Sequence, residues 1–242
     1  GIEEITRCAG QAAGNWRGLQ FGEADGQFAD GGLARFHGGG RGLEGRLDHA
    51  LAASHVKPDH PSGLAMGYAR LAARRSTVIV DASAPPSGRA AGNAHASTLA
   101  FELTSGRRPV VVNCGSGATF GMAWRRAGRA TPSHSTLCLG GYSSARLGDA
   151  DPVTGQALLV NGPGEVPVET SETPDGMRFQ GAHNGYAPHF GLTHVRSLDL
   201  SFDGRTFQGE DMLLAMDTSA KRRFDQALDH SKLSGIAFDI RL

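Results

Sequence analysis

Histidine is the residue type through which this sequence could do chemistry. His95, His134, His183, His189 and His194 all fall at strand entries or inside strand-like runs of the β-rich half. Neutral imidazole is the commonest zinc ligand and a ready proton carrier near pH 7. A zinc site needs three or four donors converging from separate strands, with a further partner orienting each ring. The plainer alternative for any one of them is a polar tip at a sheet edge. The run HNGYAPHFGLTH spaces its histidines too irregularly to share one strand face.

Other reactive types offer less. The three cysteines, Cys8, Cys114 and Cys138, are odd in number and far apart, which points neither to a disulfide framework nor to a cysteine-based zinc site. Cys114 and Cys138 sit in apolar strand-like runs and read as buried thiols. The pairs Arg74/Arg75, Arg107/Arg108 and Arg125/Arg126, with Arg129, would suit a polyanion through forked hydrogen bonds, but they are spread along the chain. GRGLEG, from Gly40 to Gly45, has the spacing of a dinucleotide-binding turn. No second parallel strand follows it, so it reads as a chance match in a glycine-rich chain.

The elements that must position these residues are mostly strands. Apolar or alternating runs recur from residue 64: LAMGYARLAA, STVIVDAS, STLAFEL, PVVVNCG, STLCL, VPVETSET, MRFQGAHNGY, LTHVRSLDLSF and TFQGED. Turn sequences such as APPSG, TSGRR, GGYSS, PDG and DGR separate them. HVRSLDLSF alternates apolar and polar residues like a strand with one wet face, which predicts an all-β, antiparallel sandwich. Helix signals lie near the start, in IEEITRCAGQAA and GRLDHALAASH, so the sandwich is expected to carry a short helical N-terminal segment. ATFGMAWRRAGRATPSH reads as a polar loop, and the closing AFDIRL as a strand cut inside a sheet.

Composition sets outer bounds. The 242 residues suffice for one large β domain, and 35 glycines, about twice the average share, predict frequent turns. Lys plus Arg and Asp plus Glu number 24 each, so no global charge draws the chain to nucleic acid or an anionic membrane. No apolar run approaches the roughly 20 residues of a membrane span, and the first residues lack the form of a signal peptide.

The run VIVDASAPPSGRAAGNAHASTLAFELTSGRRPVVVNCG, then WRRAGRATPSHSTLCLGG, then HNGYAPHFGLTHVRSLDLSFDG, resembles the C-terminal β-sandwich region of heparinase II/III-like polysaccharide lyases. WRGLQFGEADGQFADGGLARFHGG resembles the exit from that family's helical toroid. The resemblance implies a linker or toroid end over residues 1–30, a sandwich over 31–242, and a toroid elsewhere in the same full-length chain. It implies a periplasmic setting and an acidic polysaccharide as partner, cleaved by β-elimination at a uronic acid, with no nucleic acid and no membrane span.

Carried over by motif, His95 in HAS, Asn113 in VNCG and His134 in SHST fall on the family's three metal-site positions. Zinc is the cofactor so implied, weakened here because Asn113 replaces a carboxylate. A metal-free polar cluster of the same three residues is the alternative. Asn93 falls where the family's catalytic histidine is expected, and an amide cannot take a proton at neutral pH. Arg129 and Tyr186 are the candidates for substrate contact. The family's tyrosine base lies in the toroid and matches none of Tyr68, Tyr142 and Tyr186. This half alone is expected either to form one wall of a lyase cleft, inactive by itself, or to serve as a non-catalytic carbohydrate-binding or scaffold module.

Overall fold

A computed structural model describes residues 13–20, 63–150, 152, 155–231 and 235–242. The strands are β1 (Ala13–Gln20), β2 (Gly63–Ala65), β3 (Tyr68–Ala73), β4 (Ser76–Asp81), β5 (Phe101–Ser105), β6 (Arg108–Val111) and β7 (Leu137–Leu139). They continue as β8 (Arg146–Ala150), β9 (Ala157–Val160), β10 (Val168–Glu172), β11 (Gly176–His183), β12 (Thr193–Ser201), β13 (Thr206–Leu214) and β14 (Phe238–Ile240). Among the described residues three α-helices are interspersed, α1 (Met122–Gly128), α2 (Ala187–Phe190) and α3 (Thr218–His230).

Two antiparallel five-stranded sheets, β1-β13-β12-β11-β10 and β2-β3-β4-β5-β6, make the sandwich, with the ribbons β7-β14 and β8-β9 beside them. The expected all-β fold is therefore present. β1 lies within the stretch expected as linker, and its backbone forms the edge of the first sheet beside β13. The expected N-terminal helices, Cys8 and the GRGLEG turn lie outside the described residues.

Strand alternation sorts side chains into an inner and an outer face. In β4, Ser76, Val78 and Val80 are buried while Ile79 is open; in β5, Phe101 and Leu103 are buried while Glu102 is open. The sheets meet through Phe101 and Phe207, whose rings stack edge to face at 5.0 Å. The Ser76 hydroxyl donates across the same seam to the Gly204 carbonyl at 2.6 Å. Gly204, in the turn between β12 and β13, has φ of 68°, and a Cβ there would lie 2.4 Å from the Ala73 carbonyl oxygen. Only glycine satisfies both constraints.

One reading of local structure changes, and one helix is new. MAWRRAG is not loop but the helix α1, seven residues between Gly121 and Arg129. The charged tail winds into α3, whose Asp217 side chain caps it by accepting from the Ala220 N–H at 2.7 Å. α3 lays Phe224 and Ala227 on a cluster of Leu137, Leu139, Tyr186, Phe190 and Leu192.

The inner face of β12 carries charge. His194, Arg196, Leu198 and Leu200 all point into the sandwich. Arg196 pairs across strands with Asp211 through two parallel bonds, Nε to Oδ1 at 2.7 Å and Nη2 to Oδ2 at 2.9 Å. Its Nη1 donates to the carbonyls of Leu99, at 2.8 Å, and Ser135, at 2.6 Å, which belong to the opposite side of the core.

A one-way chain of histidines ends on the same carboxylate. The Gly185 N–H donates to His183 Nδ1 at 3.1 Å, so His183 carries its proton on Nε2 and donates to His194 Nδ1 at 3.1 Å. His194 then donates from Nε2 to Asp211 Oδ1 at 2.6 Å. Every ring nitrogen is assigned, and both rings are neutral. Burial above all holds both imidazoles below the ordinary histidine range. The Arg196 guanidinium and the His194 N–H outweigh burial at Asp211 and hold its carboxyl well below the usual carboxylate range.

Asp211→Asn leaves the buried guanidinium without its counter-charge and should cost about 3–5 kcal/mol in denaturant unfolding. A single-variant loss below about 1 kcal/mol would contradict this clamp. The depressed histidines also set a pH dependence. The unfolded chain takes up protons below about pH 6.5 and the folded chain does not, so stability must fall with pH there by up to about 1.4 kcal/mol per unit for each buried imidazole. A melting temperature unchanged between about pH 7 and pH 5 would show that these rings are not held neutral.

Candidate functional site

A cleft of about 570 Å³ opens on the outer face of the second sheet. Register explains its floor: Tyr68 pairs with Asp81 and Ile79 pairs with Glu102, so alternation turns all four away from the core. Its walls come from the segment after β4, including Asn93, His95 and Ser97, and from Asn113 and His134 beyond. The four positions at which the family resemblance placed chemistry, Asn93, His95, Asn113 and His134, therefore line one cavity.

Hydrogen bonds fix the direction in which each group faces. His134 Nδ1–H donates to the Ala130 carbonyl at 2.9 Å, leaving Nε2 as an acceptor. His95 donates from Nδ1 to that Nε2 at 3.0 Å, with the two rings edge to face. The proton of His95 is thus committed inward, and its Nε2 lone pair is left for the cleft. Burial first, then His134 and the nearby Arg129 and Arg125, pull the His95 pKa down to about 4, and burial also lowers that of His134.

The amides are equally committed. Asn113 Oδ1 accepts from the Ser135 N–H at 2.9 Å, while the Asn113 backbone N–H donates to Glu102 Oε1 at 3.2 Å. Asn93 Oδ1 accepts from Arg125 Nη2 at 2.7 Å. Asp81 accepts from the Ser97 hydroxyl at 2.6 Å, and burial raises its pKa despite that bond.

The three residues implied as zinc ligands are engaged with one another and with the backbone. His95 and His134 spend the nitrogens that face each other on one shared proton, and the Asn113 oxygen is taken by a backbone N–H. Arginines rather than carboxylates stand behind His95. The two rings and the amide are all neutral donors, and none of the three supplies the negative charge of a carboxylate ligand. Among the described residues, no group of three or more His, Cys, Asp or Glu could hold a metal ion.

The two residues expected to touch substrate are interior. Arg129, 3% exposed, donates to the carbonyls of Ala91, Ala94 and Ala157 at 2.7, 2.8 and 2.7 Å. Its own carbonyl accepts from the Ala96 N–H at 2.9 Å, so Arg129 positions the loop that carries His95. Tyr186, 1% exposed, donates its hydroxyl to the Leu137 carbonyl at 2.6 Å. An arginine in a loop sequence and a tyrosine at the end of a strand run look available to a ligand, and only tertiary packing reveals that backbone carbonyls claim them. Cys114, expected buried, is exposed, and Cys138 is buried as expected. Tyr68, Asp81 and Glu102 were missed, although the alternation of YARLAA, STVIVD and FELTS already sets them on the wet faces of their strands.

Comparison with known proteins gives three findings. The family model described as "Heparinase II/III-like, C-terminal" matches residues 55–242. "FtsZ-localized protein C" of Caulobacter vibrioides is 32% identical over 202 residues, 80% of this chain and 34% of that protein. The chain thus spans about a third of the length of this curated relative. No solved structure matches significantly.

Metal analysis of the purified chain should find far less than one zinc per molecule, and a chelator should leave the melting temperature unchanged. Stoichiometric zinc whose removal lowers the melting temperature would contradict a cluster held by hydrogen bonds alone.

Proposed function

The chain belongs to the heparinase II/III-like family through its C-terminal region, and we propose that its cleft binds a glycan without cleaving it. The observation that carries this reading is Asn93. At the position where the resemblance expects a catalytic histidine, the side chain has no basic nitrogen, and its oxygen is held by Arg125. β-Elimination needs a base at C5 of a uronic acid and positive charge on the neighbouring carboxylate. Among the described residues lining this cleft there is no Lys or Arg.

Sugar binding asks for less. An open aromatic ring stacks on a sugar face, and fixed polar groups bond to the hydroxyls. Tyr68, 53% exposed, supplies the ring, and Asp81, Glu102, Asn93 and His95 supply the polar groups. The name of the relative from Caulobacter vibrioides speaks of localisation with FtsZ and of no lyase, which agrees with a non-catalytic module. Family membership favours a second reading, in which this half forms one wall of a lyase cleft and the toroid of the full-length protein brings base and cations.

Incubation with heparan sulfate or alginate should release no ultraviolet-absorbing unsaturated product. Calorimetry against a panel of oligosaccharides should show binding that Tyr68→Ala weakens by about fivefold or more. Clear product formation by the chain itself would overturn the non-catalytic reading.

A further inference from the structure

The chemistry of the cleft lining says which glycans it can take. Two carboxylates, Asp81 and Glu102, stand on its floor. The wall adds the His95 Nε2 lone pair, whose ring proton is committed to His134. All three are hydrogen-bond acceptors. Asn93 offers the clearest donor, since its oxygen already receives Arg125 and its NH₂ remains at the exposed edge.

Positive charge is close enough to lower the His95 pKa, but its N–H donors are turned elsewhere. Arg125 donates to Asn93 Oδ1 and the Gly92 carbonyl, and Arg129 is spent on three backbone carbonyls. Arg70 shares the outer face, pairing with Ile79 in register, but does not line the cleft. A uronate or sulfate entering here would meet two like charges and an acceptor lone pair, with no guanidinium or ammonium among the described lining residues to receive it. A protonated amine would meet the opposite.

We infer that the cleft selects a saccharide bearing a free amine, an amino sugar in its ammonium form, and rejects the acidic polysaccharides that the family resemblance implied. The ammonium sits between Asp81 and Glu102, a ring hydroxyl donates to His95 Nε2, and a sugar face lies against Tyr68. This assignment rests on the glycan-binding reading of the same cleft and narrows it to one ligand class.

The test is calorimetric titration of the chain at neutral pH with three oligosaccharides of equal length: chitosan-type with free amines, chitin-type with acetylated amines, and alginate-type with carboxylates. The amine series should bind at least about fivefold tighter than the carboxylate series, with the acetylated series between them. Glu102→Gln, a substitution at an exposed position that keeps the oxygen accepting from Asn113, should narrow that preference. Raising the salt concentration should narrow it as well. Equal binding of all three, or tighter binding of the carboxylate series, would overturn the amine selectivity and leave glycan binding standing. Binding of none at millimolar concentration would overturn glycan binding itself.

Discussion

The fork between Arg196 and Asp211 is the interaction on which the rest of this structure depends. It is fully buried, so the carboxylate and guanidinium must satisfy each other and every remaining proton must find an acceptor. Two remaining protons are used on Leu99 and Ser135, residues that enter β5 and β7 from the opposite side of the core. Such a pair adds little net stability over a well-packed apolar substitute; what it specifies is geometry. One arginine ties three chain segments together, and the chain of His183 and His194 fixes the orientation of the carboxylate it holds.

That geometry reaches the cleft through Ser135. Its carbonyl receives Arg196, its N–H donates to Asn113, and its hydroxyl bonds both backbone groups of Phe101. Phe101 precedes Glu102, and His134 precedes Ser135. The interior clamp therefore sets the backbone positions of a floor carboxylate and a wall imidazole. A second arginine, Arg129, does the same for the loop of His95. Both guanidiniums are used as scaffolding in the interior, so the cleft is left with acceptors. The arginine-rich composition that reads as an anion site in sequence becomes, once folded, the reason for an acceptor-rich one.

Much of this was legible in the sequence. Alternating runs and turn residues between 64 and 214 fixed the strands and the antiparallel fold, because period-two patterning survives wherever one face is wet. Motif order brought His95, Asn113 and His134 to one cavity ahead of any coordinates. What stayed hidden was which side of a strand had the core. HVRSLDL places His194 and Arg196 inward, against the ordinary preference of charge for water, and only Asp211, fifteen residues beyond Arg196, makes that tolerable. α1 escaped because seven residues, opening after Gly121 and ending on Gly128, are too few to show a helical period. Arg129 and Tyr186 were misplaced because a residue type says what it can bond, and not whether a carbonyl or a ligand gets there first.

The cleft as an acceptor surface can be tested most directly at one atom pair, by nitrogen-15 spectroscopy of the His95 ring at neutral pH. The structure predicts a single neutral tautomer with the proton on Nδ1 and a bare Nε2 facing the cleft. A doubly protonated ring, or a proton on Nε2, would place a donor where an acceptor is required and would contradict the whole polarity assigned to the site.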